Sequence, residues 1–386
     1  MKDISIYFQP ISQTLNFDDE QLGSVIDSYT NEFPALMPNT IAIFYVPEYR
    51  GVLLEQEKVE KQLVGPSNFR DELYTLYKGS DWKTTIFDLG NLMPGKELSD
   101  TYYALGQVIA ELVKNNIVPI VVGGGQDLTT AMFIGYEELE QLINTCTIDS
   151  KLDLGTPEDP VTHENYIGSL LVRRPCYLFN HANIGLQIPF AQPKELDLFE
   201  KLFFDVCRLG EFNADFKTAE PILRNSDIIS FDFQAIRASE INNDQGNPNG
   251  FYAEQACQIA KYAGISDKAT SFGIFNCFSD NSIEAKLIAQ MCWYFMDGFF
   301  DRKGDFPVGS KIEYTKFTVF LEIGEYEIVF YRSNKSDRWW MEVPYPPSEF
   351  SKFERHHLVP CNKTDYDNAM KNEMPDLWWR TYQKLG

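Results

Sequence analysis

The sequence has no C-x-x-C pair, only four histidines, and a shortage of positive charge, with 34 Lys and Arg against 56 Asp and Glu. The missing C-x-x-C leaves zinc and dithiol motifs without support. A formal charge of −22 argues against nucleic acid or an anionic membrane surface as the main partner, and no long basic run offsets it. No apolar run of about 18 residues is free of charge, so no membrane span is expected. The opening MKDISIYFQP lacks a basic stretch followed by an apolar one, so no secretory signal is expected there. The seven cysteines are an odd number and lie mostly inside apolar segments such as NTCTID and MCWYF. That usage fits reduced, buried thiols and a cytoplasmic location.

What is present is a large ordered core. The 386 residues, 44% hydrophobic, suffice for one large domain or for a domain with an appendage. Short apolar runs ending in turn residues predict strands at TIAIFYVP, TTIFDLG, VPIVVGGG, NTCTIDS, PCYLFNHA, LFFDVC, DIISFDF and ATSFGIF. Between them lie helical patterns. SDTYYALGQVIAELVKNN opens with a Ser/Asp cap and carries Leu105, Ile109, Leu112 and Val113 on one stripe. NGFYAEQACQIAKYAG closes with Gly264 as a candidate C-cap. A third helix repeats apolar residues at Ile283, Leu287, Met291 and Phe295. Alternating strands and helices predict an α/β fold: a three-layer α/β/α sandwich around a mostly parallel sheet of about eight strands.

The last 80 or so residues read differently, and a boundary is expected near Pro307, giving units 1–306 and 307–386. TKFTVFLEIGEYEIVFYR is two period-2 segments around Gly324, a β-hairpin pattern. The Trp339–Trp340 and Trp378–Trp379 pairs carry too much apolar surface to leave in water. This β-rich tail is therefore expected to pack on the main domain or to offer an aromatic surface to a protein partner.

Three expected strand ends carry unusual polar clusters: VVGGGQDLT (Val121–Thr129), TIDSKLDLG (Thr147–Gly155) and ISFDFQAIRASE (Ile229–Glu240). In an open α/β sheet, sites form at the carboxyl ends of strands. The trio, in this order, resembles the ureohydrolase family of arginase, agmatinase and above all formimidoylglutamase, whose motifs read GG(G/D)H, DAHxD and S(F/I)DxD. The likeness extends to VPEYRG (Val46–Gly51), IFDLGNL, NIGLQ (Asn183–Gln187) and NPNGFYAEQA (Asn247–Ala256), over roughly residues 40 to 303. Tail included, the chain looks closest to formimidoylglutamase-like chains of Bacteroidetes. The resemblance implies an arginase-like fold and a site where six ligands hold two Mn²⁺ ions, whose bridging hydroxide attacks a guanidine or formimino carbon. Such relatives often form trimers or hexamers, so a homo-oligomer is implied as well.

Carried over residue by residue, half of that ligand set is changed. The first-motif histidine position is Gln126, the second-motif histidine position is Lys151, and the second aspartate of the third motif is Gln234. Asp149, Asp153 and Asp232 remain. An amide oxygen can bind a hard cation but replaces imidazole or carboxylate poorly, and a protonated lysine cannot ligate. Two unit charges about 4 Å apart repel by roughly 4 kcal/mol at an effective dielectric near 20, and a divalent ion beside Lys151 would feel about twice that. The expectation is a metal-free descendant in which the Lys151 ammonium sits among the three carboxylates as a salt-bridge hub. The competing expectation is an active hydrolase of linear amidines or guanidines with a remodelled site, using Lys151 as cation or base, or Mn²⁺ held at Asp149, Asp153 and Asp232.

Other residues are weaker candidates. His163, in VTHENYIGS, is a candidate catalytic or site-facing residue, or else a loop or helix cap. His181 could line the mouth or be a satisfied strand-end residue. Arg237 could bind an α-carboxylate, or pair with Glu240 or Asp244. The turn-rich segment around Asn249 would shape a pocket for a small amino-acid-like ligand, and Glu254 could bind its amine or simply suit a helix N-terminus. His356 and His357 read as surface or packing residues. The GGG run at Gly123–Gly125 lacks the remainder of a phosphate loop and reads as a tight strand-to-helix turn.

Overall fold

A computed structural model describes residues 2–12, 16–52, 65–156, 159–243, 246–322, 326–346 and 353–385. Among these, the N-terminal strands are β1 (Phe8–Gln9), β2 (Ile26–Ser28), β3 (Thr40–Tyr45), β4 (Ile86–Leu92) and β5 (Ile117–Val122). They are followed by β6 (Ile143–Ile148), β7 (Leu178–Leu186), β8 (Asp205–Arg208), β9 (Ile228–Asp232) and β10 (Ser271–Phe275). Eight of these form an unbroken parallel sheet in the order β4-β3-β5-β10-β9-β6-β7-β8. Short β1 and β2 both join β4, the first antiparallel and the second parallel, so the sheet is mixed at this edge alone. β3, β5, β6, β9 and β10 are buried along their whole length, as apolar runs without alternation require when helices cover both faces. The core accordingly splits into two apolar clusters, one on each face of the sheet.

Two helix details differ from the sequence reading. The helix Leu98–Lys114 is capped by Glu97, whose main-chain N–H bonds the Asp100 carboxylate at 2.9 Å, a reciprocal capping box that begins two residues before the Ser99 expected. Gly264 is not a C-cap but lies in the last turn of the helix Ala253–Ile265, pressed against the helix Ser282–Phe300. A Cβ there would meet the Phe295 carbonyl oxygen at 2.1 Å, so close helix approach is what demands glycine. On the facing helix, Leu287, Met291 and Phe295 are buried while Ile283 is exposed.

The architecture changes between Phe300 and Tyr314. Beyond it, β11 (Tyr314–Leu321), β12 (Tyr326–Ser333), β13 (Trp339–Glu342) and β14 (Leu358–Cys361) form a separate antiparallel sheet in that order. β11 and β12 form the expected hairpin pairing; Gly324 itself lies outside the described residues. The sheet packs with the helices Lys363–Ala369 and Asp376–Leu385 around its own core, joined by Leu142 and Phe179 of the main domain. Trp339, Trp340 and Trp378 are buried and only Trp379 is partly exposed, so three of the four tryptophans hold the tail together rather than face a partner.

The junction is ionic and lies at the amino ends of the parallel strands. Buried Arg224 donates to the carbonyls of Trp339 and Cys361 at 3.0 and 3.1 Å and stacks on Trp340 at 4.4 Å. Fully buried Asp227 accepts from Arg355 at 2.7 Å and from the Asn144 main chain at 2.8 Å, with Lys268 at 3.9 Å. Removing Arg224 takes away two buried hydrogen bonds from a charged donor to the tail, a loss worth about 3 kcal/mol. Arg224→Met should therefore lower the unfolding free energy read from urea titration by that order. A loss below about 1 kcal/mol would mean that the tail is anchored elsewhere.

Candidate functional site

The three sequence clusters meet at the opposite, carboxyl ends of the strands. Gln126 follows β5, Asp149 follows β6, and Asp232 closes β9. The glycines after β5 make this approach possible. Gly123 and Gly124 have φ of +92° and +74°, and a Cβ on Gly124 would meet the Glu48 carbonyl oxygen at 2.7 Å. They bring the chain under the VPEYRG loop, where Glu48 is buried and clamped by Arg50 (2.9 and 2.5 Å) and by the Thr101 hydroxyl at 2.8 Å. Asp127 lies beneath it, accepts from the Tyr102 hydroxyl at 2.5 Å, and is pushed by burial to a pKa of about 7.

Asp149, Asp153 and Asp232 lie close enough at these strand ends to act on one another electrostatically. Asp149 accepts from the Lys151 main-chain N–H at 2.8 Å through Oδ1, while its buried Oδ2 has no partner among the described residues. Asp153 stands in the left-handed region at φ +47°, a conformation that aspartate tolerates better than most residues. Asp232 accepts from the Gln234 main chain at 2.8 Å and from Asn276 Nδ2 at 3.1 Å. Burial raises the pKa of all three, and their mutual repulsion adds to it: Asp149 and Asp232 lie well above the carboxylate range and Asp153 at about 7. Tyr166, fully buried, has its phenol pushed upward by burial and then by these same three carboxylates.

The three replaced positions behave differently from one another. Gln126 is completely buried; its Nε2 donates to Ser230 Oγ at 3.3 Å and its Oε1 has no partner among the described residues. Gln234 is committed at both ends, donating to the Asn276 carbonyl at 2.8 Å and accepting from Asn243 at 2.9 Å. Lys151 corrects the expectation of a hub. Its Nζ pairs outward with Glu164 at 3.2 Å, with the lysine side chain 45% exposed. The turn that gives Asp149 the Lys151 N–H, with Asn183 donating to the Lys151 carbonyl at 2.7 Å, fixes the main chain, and the side chain leaves toward solvent. Its charge still reaches the aspartates, and Glu164 and Asp153 raise its own pKa against the effect of burial.

A cleft of about 380 Å³ opens beside this cluster, lined by Lys151, Asp153, Thr162, Glu164, Phe190 and Glu195 among others. His163 is half-buried beside it, its main chain bonded to the Gly51 carbonyl at 3.2 Å and its pKa lowered by burial. Asn249 and Gln187 exchange hydrogen bonds of 2.8 and 3.1 Å at the carboxyl end of β7, a brace for the loop. Arg237 donates to the Gly250 carbonyl at 3.2 and 3.3 Å and lies 3.6 Å over the Tyr252 ring. Glu240 accepts instead from the Ala253 main chain at 3.1 Å, and Asp244 lies outside the described residues. Glu254 is exposed in the first turn of its helix.

His181 is not brought to the site. It lies in the amino-terminal half of β7, bonded to Thr145 at 2.8 Å and boxed by Phe199 and Phe204, and burial lowers its pKa to about 3. His356 is packed on Phe179 at the tail junction, with Nε2 3.2 Å from the Leu142 carbonyl, and His357 bonds the Glu354 carbonyl. The sequence reading missed Asn276, which ties the motifs together: its Oδ1 takes the Gln126 N–H at 3.0 Å, its amide holds Asp232, and its carbonyl holds Gln234. An asparagine directly after an apolar strand, here at φ +58°, was the available signal.

With this geometry in hand, the comparisons fall into place. No family model and no curated protein matches the sequence. The structure is similar to formiminoglutamase from Trypanosoma cruzi with Mn²⁺ (TM-score 0.63, 17% identity, 74% of this chain and 100% of that one). It is likewise similar to formimidoylglutamase from Bacillus subtilis (TM-score 0.64, 14% identity, 76% and 96%). Arginase from Medicago truncatula follows at TM-score 0.54 and 13% identity, over 67% and 86%. These likenesses establish an arginase-like fold. Nothing finer rests on them.

A stability test addresses the carboxylates directly. Asp153 ionises near 3.8 when free and near 7 when folded, so between those values the unfolded chain has lost a proton that the folded chain keeps. Its contribution is fully present below pH 3.8 and is lost as pH rises through about 7. Asp153→Asn should flatten that decline and raise stability at pH 8 by on the order of 1–3 kcal/mol. A drop at pH 8 would show instead that the native site depends on the ionised carboxylate.

Proposed function

We propose that this chain is an arginase-fold protein, descended from ureohydrolases of the formimidoylglutamase type, that no longer assembles a two-ion manganese centre. It serves instead as a metal-free binding or scaffold module. The observation that carries this reading is the donor set. Gln234 has both ends of its amide committed to Asn276 and Asn243, and Lys151, at the position where the motif calls for an imidazole, turns its side chain out to Glu164 and offers no ligand. Such a set does not fit two divalent ions, so no hydrolytic step is derived through them. The cleft beside Asp153 is the candidate binding place for a small amino-acid-like ligand, with Lys151 the cation available to a carboxylate at its rim. The rest of this reading is a cytoplasmic protein, with residues 307–386 as a packed extension and its remaining aromatic surface open to a protein partner.

One observation favours the second reading, a hydrolase of linear amidines or guanidines with a remodelled site. Asp149 Oδ2 and Gln126 Oε1 are buried acceptors without partners among the described residues, the kind of atoms that a bound cation satisfies. In that case Asp149, Asp153 and Asp232 would hold it, and Mn²⁺ would supply the Lewis acidity.

Metal content and turnover separate the two. Protein loaded with Mn²⁺ and desalted should hold well under one ion per chain and release neither formamide nor urea from formimidoylglutamate, agmatine or arginine. The triple variant Gln126→His, Lys151→His, Gln234→Asp should approach two ions per chain. Near-stoichiometric manganese in the unaltered chain, or turnover of any amidine, would defeat the first reading.

A further inference from the structure

Away from the site, the tail sheet ends in an open edge. β12 and β13 are paired on both sides and β14 lies against Arg224, but β11 has β12 as its only partner strand among the described residues. The β11–β12 ladder runs without interruption from Tyr314–Ser333 to Leu321–Tyr326, with no proline and no bulge to spoil the edge. Its phase follows from Asn334, whose N–H bonds the Glu313 carbonyl: odd-numbered residues turn their main-chain groups inward to β12, and even-numbered ones turn theirs outward. The outward amide of Tyr314 is taken by the Lys311 carbonyl at 3.1 Å, and that of Glu322 by Asn372 Oδ1 at 2.9 Å. Between them, the outward main-chain groups of Lys316, Thr318 and Phe320 meet no partner among the described residues. The side chains of these residues are exposed, Phe320 at 63%, and Ile312 just ahead of the strand stands at 86%.

We propose that this edge pairs with the same edge of a second copy of the chain, antiparallel about a two-fold axis at Val319, joining two four-stranded sheets into one. The side chains select that register. With the axis at Val319, Thr318 stands opposite Phe320 of the second copy, and Lys316 opposite its Glu322, so symmetry makes two Lys–Glu pairs on one face. The two Phe320 rings then lie diagonally across the axis, within aromatic reach, and shield each other from water. An axis at Thr318 would set Lys316 against Phe320 and Tyr314 against Glu322, with no opposite-charge pair. At Val319 the two Thr318–Phe320 pairs each exchange N–H and C=O groups, while at each Lys316–Glu322 pair the Glu322 N–H stays with Asn372. A lone edge lysine commonly serves to repel another strand. Here Glu322 supplies its partner on the same face, six residues along.

The full-length chain provides the test, by analytical ultracentrifugation over a concentration series with hydrogen exchange alongside. The expected result is a reversible monomer–dimer equilibrium in which the Thr318 and Phe320 amides exchange more slowly as dimer accumulates. Thr318→Pro removes an outward donor and leaves the ladder to β12 intact, because proline is tolerated where its missing N–H faces solvent. It should weaken dimerisation at least tenfold with an unchanged melting temperature. Lys316→Glu should weaken the dimer, and adding Glu322→Lys should restore it, a recovery that a merely structural role for either residue would not produce. A chain that stays monomeric at high concentration overturns the proposal. So does a dimer indifferent to Thr318→Pro, or a charge exchange that fails to recover.

Discussion

Three carboxylates driven to one point at the ends of parallel strands set the terms for the rest of this structure. The fold brings Asp149, Asp153 and Asp232 together because β6 and β9 lie side by side in the sheet, although two strands separate them in the chain, and their polar ends then share one crevice. Without a matching positive charge inside the crevice, burial and mutual repulsion favour their protonated forms, and all three pKa values rise. Lys151 does not supply that charge from within. It stands at the rim with Glu164 and acts on the cluster across a partly solvated path. The nearby hydrogen-bonding groups are neutral: Asn276 and the Gln234 main chain donate to one oxygen of Asp232, Ser230 accepts from Gln126, and the charge itself is left unbalanced.

This constraint explains why the surrounding loops are so heavily tied. A cluster of protonated or competing carboxylates cannot organise its own surroundings as a bound ion would, so the main chain has to. Asn276 bonds to two of the three motif loops at once, and Asn183 holds the carbonyl of Lys151. Farther out, Glu48, Arg50 and Thr101 lock the VPEYRG loop as a separate neutralised unit. Much of the polar capacity of the crevice is spent on scaffolding. That division of labour supports the binding-module reading. The unpartnered Asp149 and Gln126 oxygens are where it is incomplete.

Much of the fold and about half of the site were legible in the sequence, for definite physical reasons. Continuous apolar runs identify parallel strands because both faces are buried, and eight of them form the central sheet. The short β1 and β2 were not foreseen: two- and three-residue strands carry no periodic signal. The motif residues were read from chemistry concentrated at strand ends, and Gln126, Asp149, Asp153, Asp232 and Gln234 do lie at the carboxyl ends of parallel strands. His181 was misplaced because a strand segment such as LFNHANIG does not reveal which end of the strand a residue occupies. Counting along β7, His181 comes four residues into a nine-residue strand, opposite Thr145 near the start of β6, at the end away from the site. Lys151 was misjudged for a different reason. Sequence gives its charge and its neighbours but not its side-chain direction, which the Asp149 turn decides.

The same distinction between position and direction separates the two ends of the molecule. At the carboxyl ends of the strands, polar side chains point into a crevice that favours neutral carboxylates. At the amino ends, Asp227 is just as buried, yet Arg355 and the Asn144 main chain satisfy it, and it acts as a clamp for the tail. Buried aspartate is thus used in two opposite ways within one sheet, and the difference lies in whether a guanidinium can reach it. The tail supplies that guanidinium. Its tryptophans are consumed in making the attachment firm, so its outward surface is left to β11. An extension built to present aromatic side chains would keep them exposed; this one buries three tryptophans and leaves a strand edge free. Among the described residues, the chemistry it offers outward is therefore that of the β11 main chain together with the exposed rings of Phe320 and Trp379.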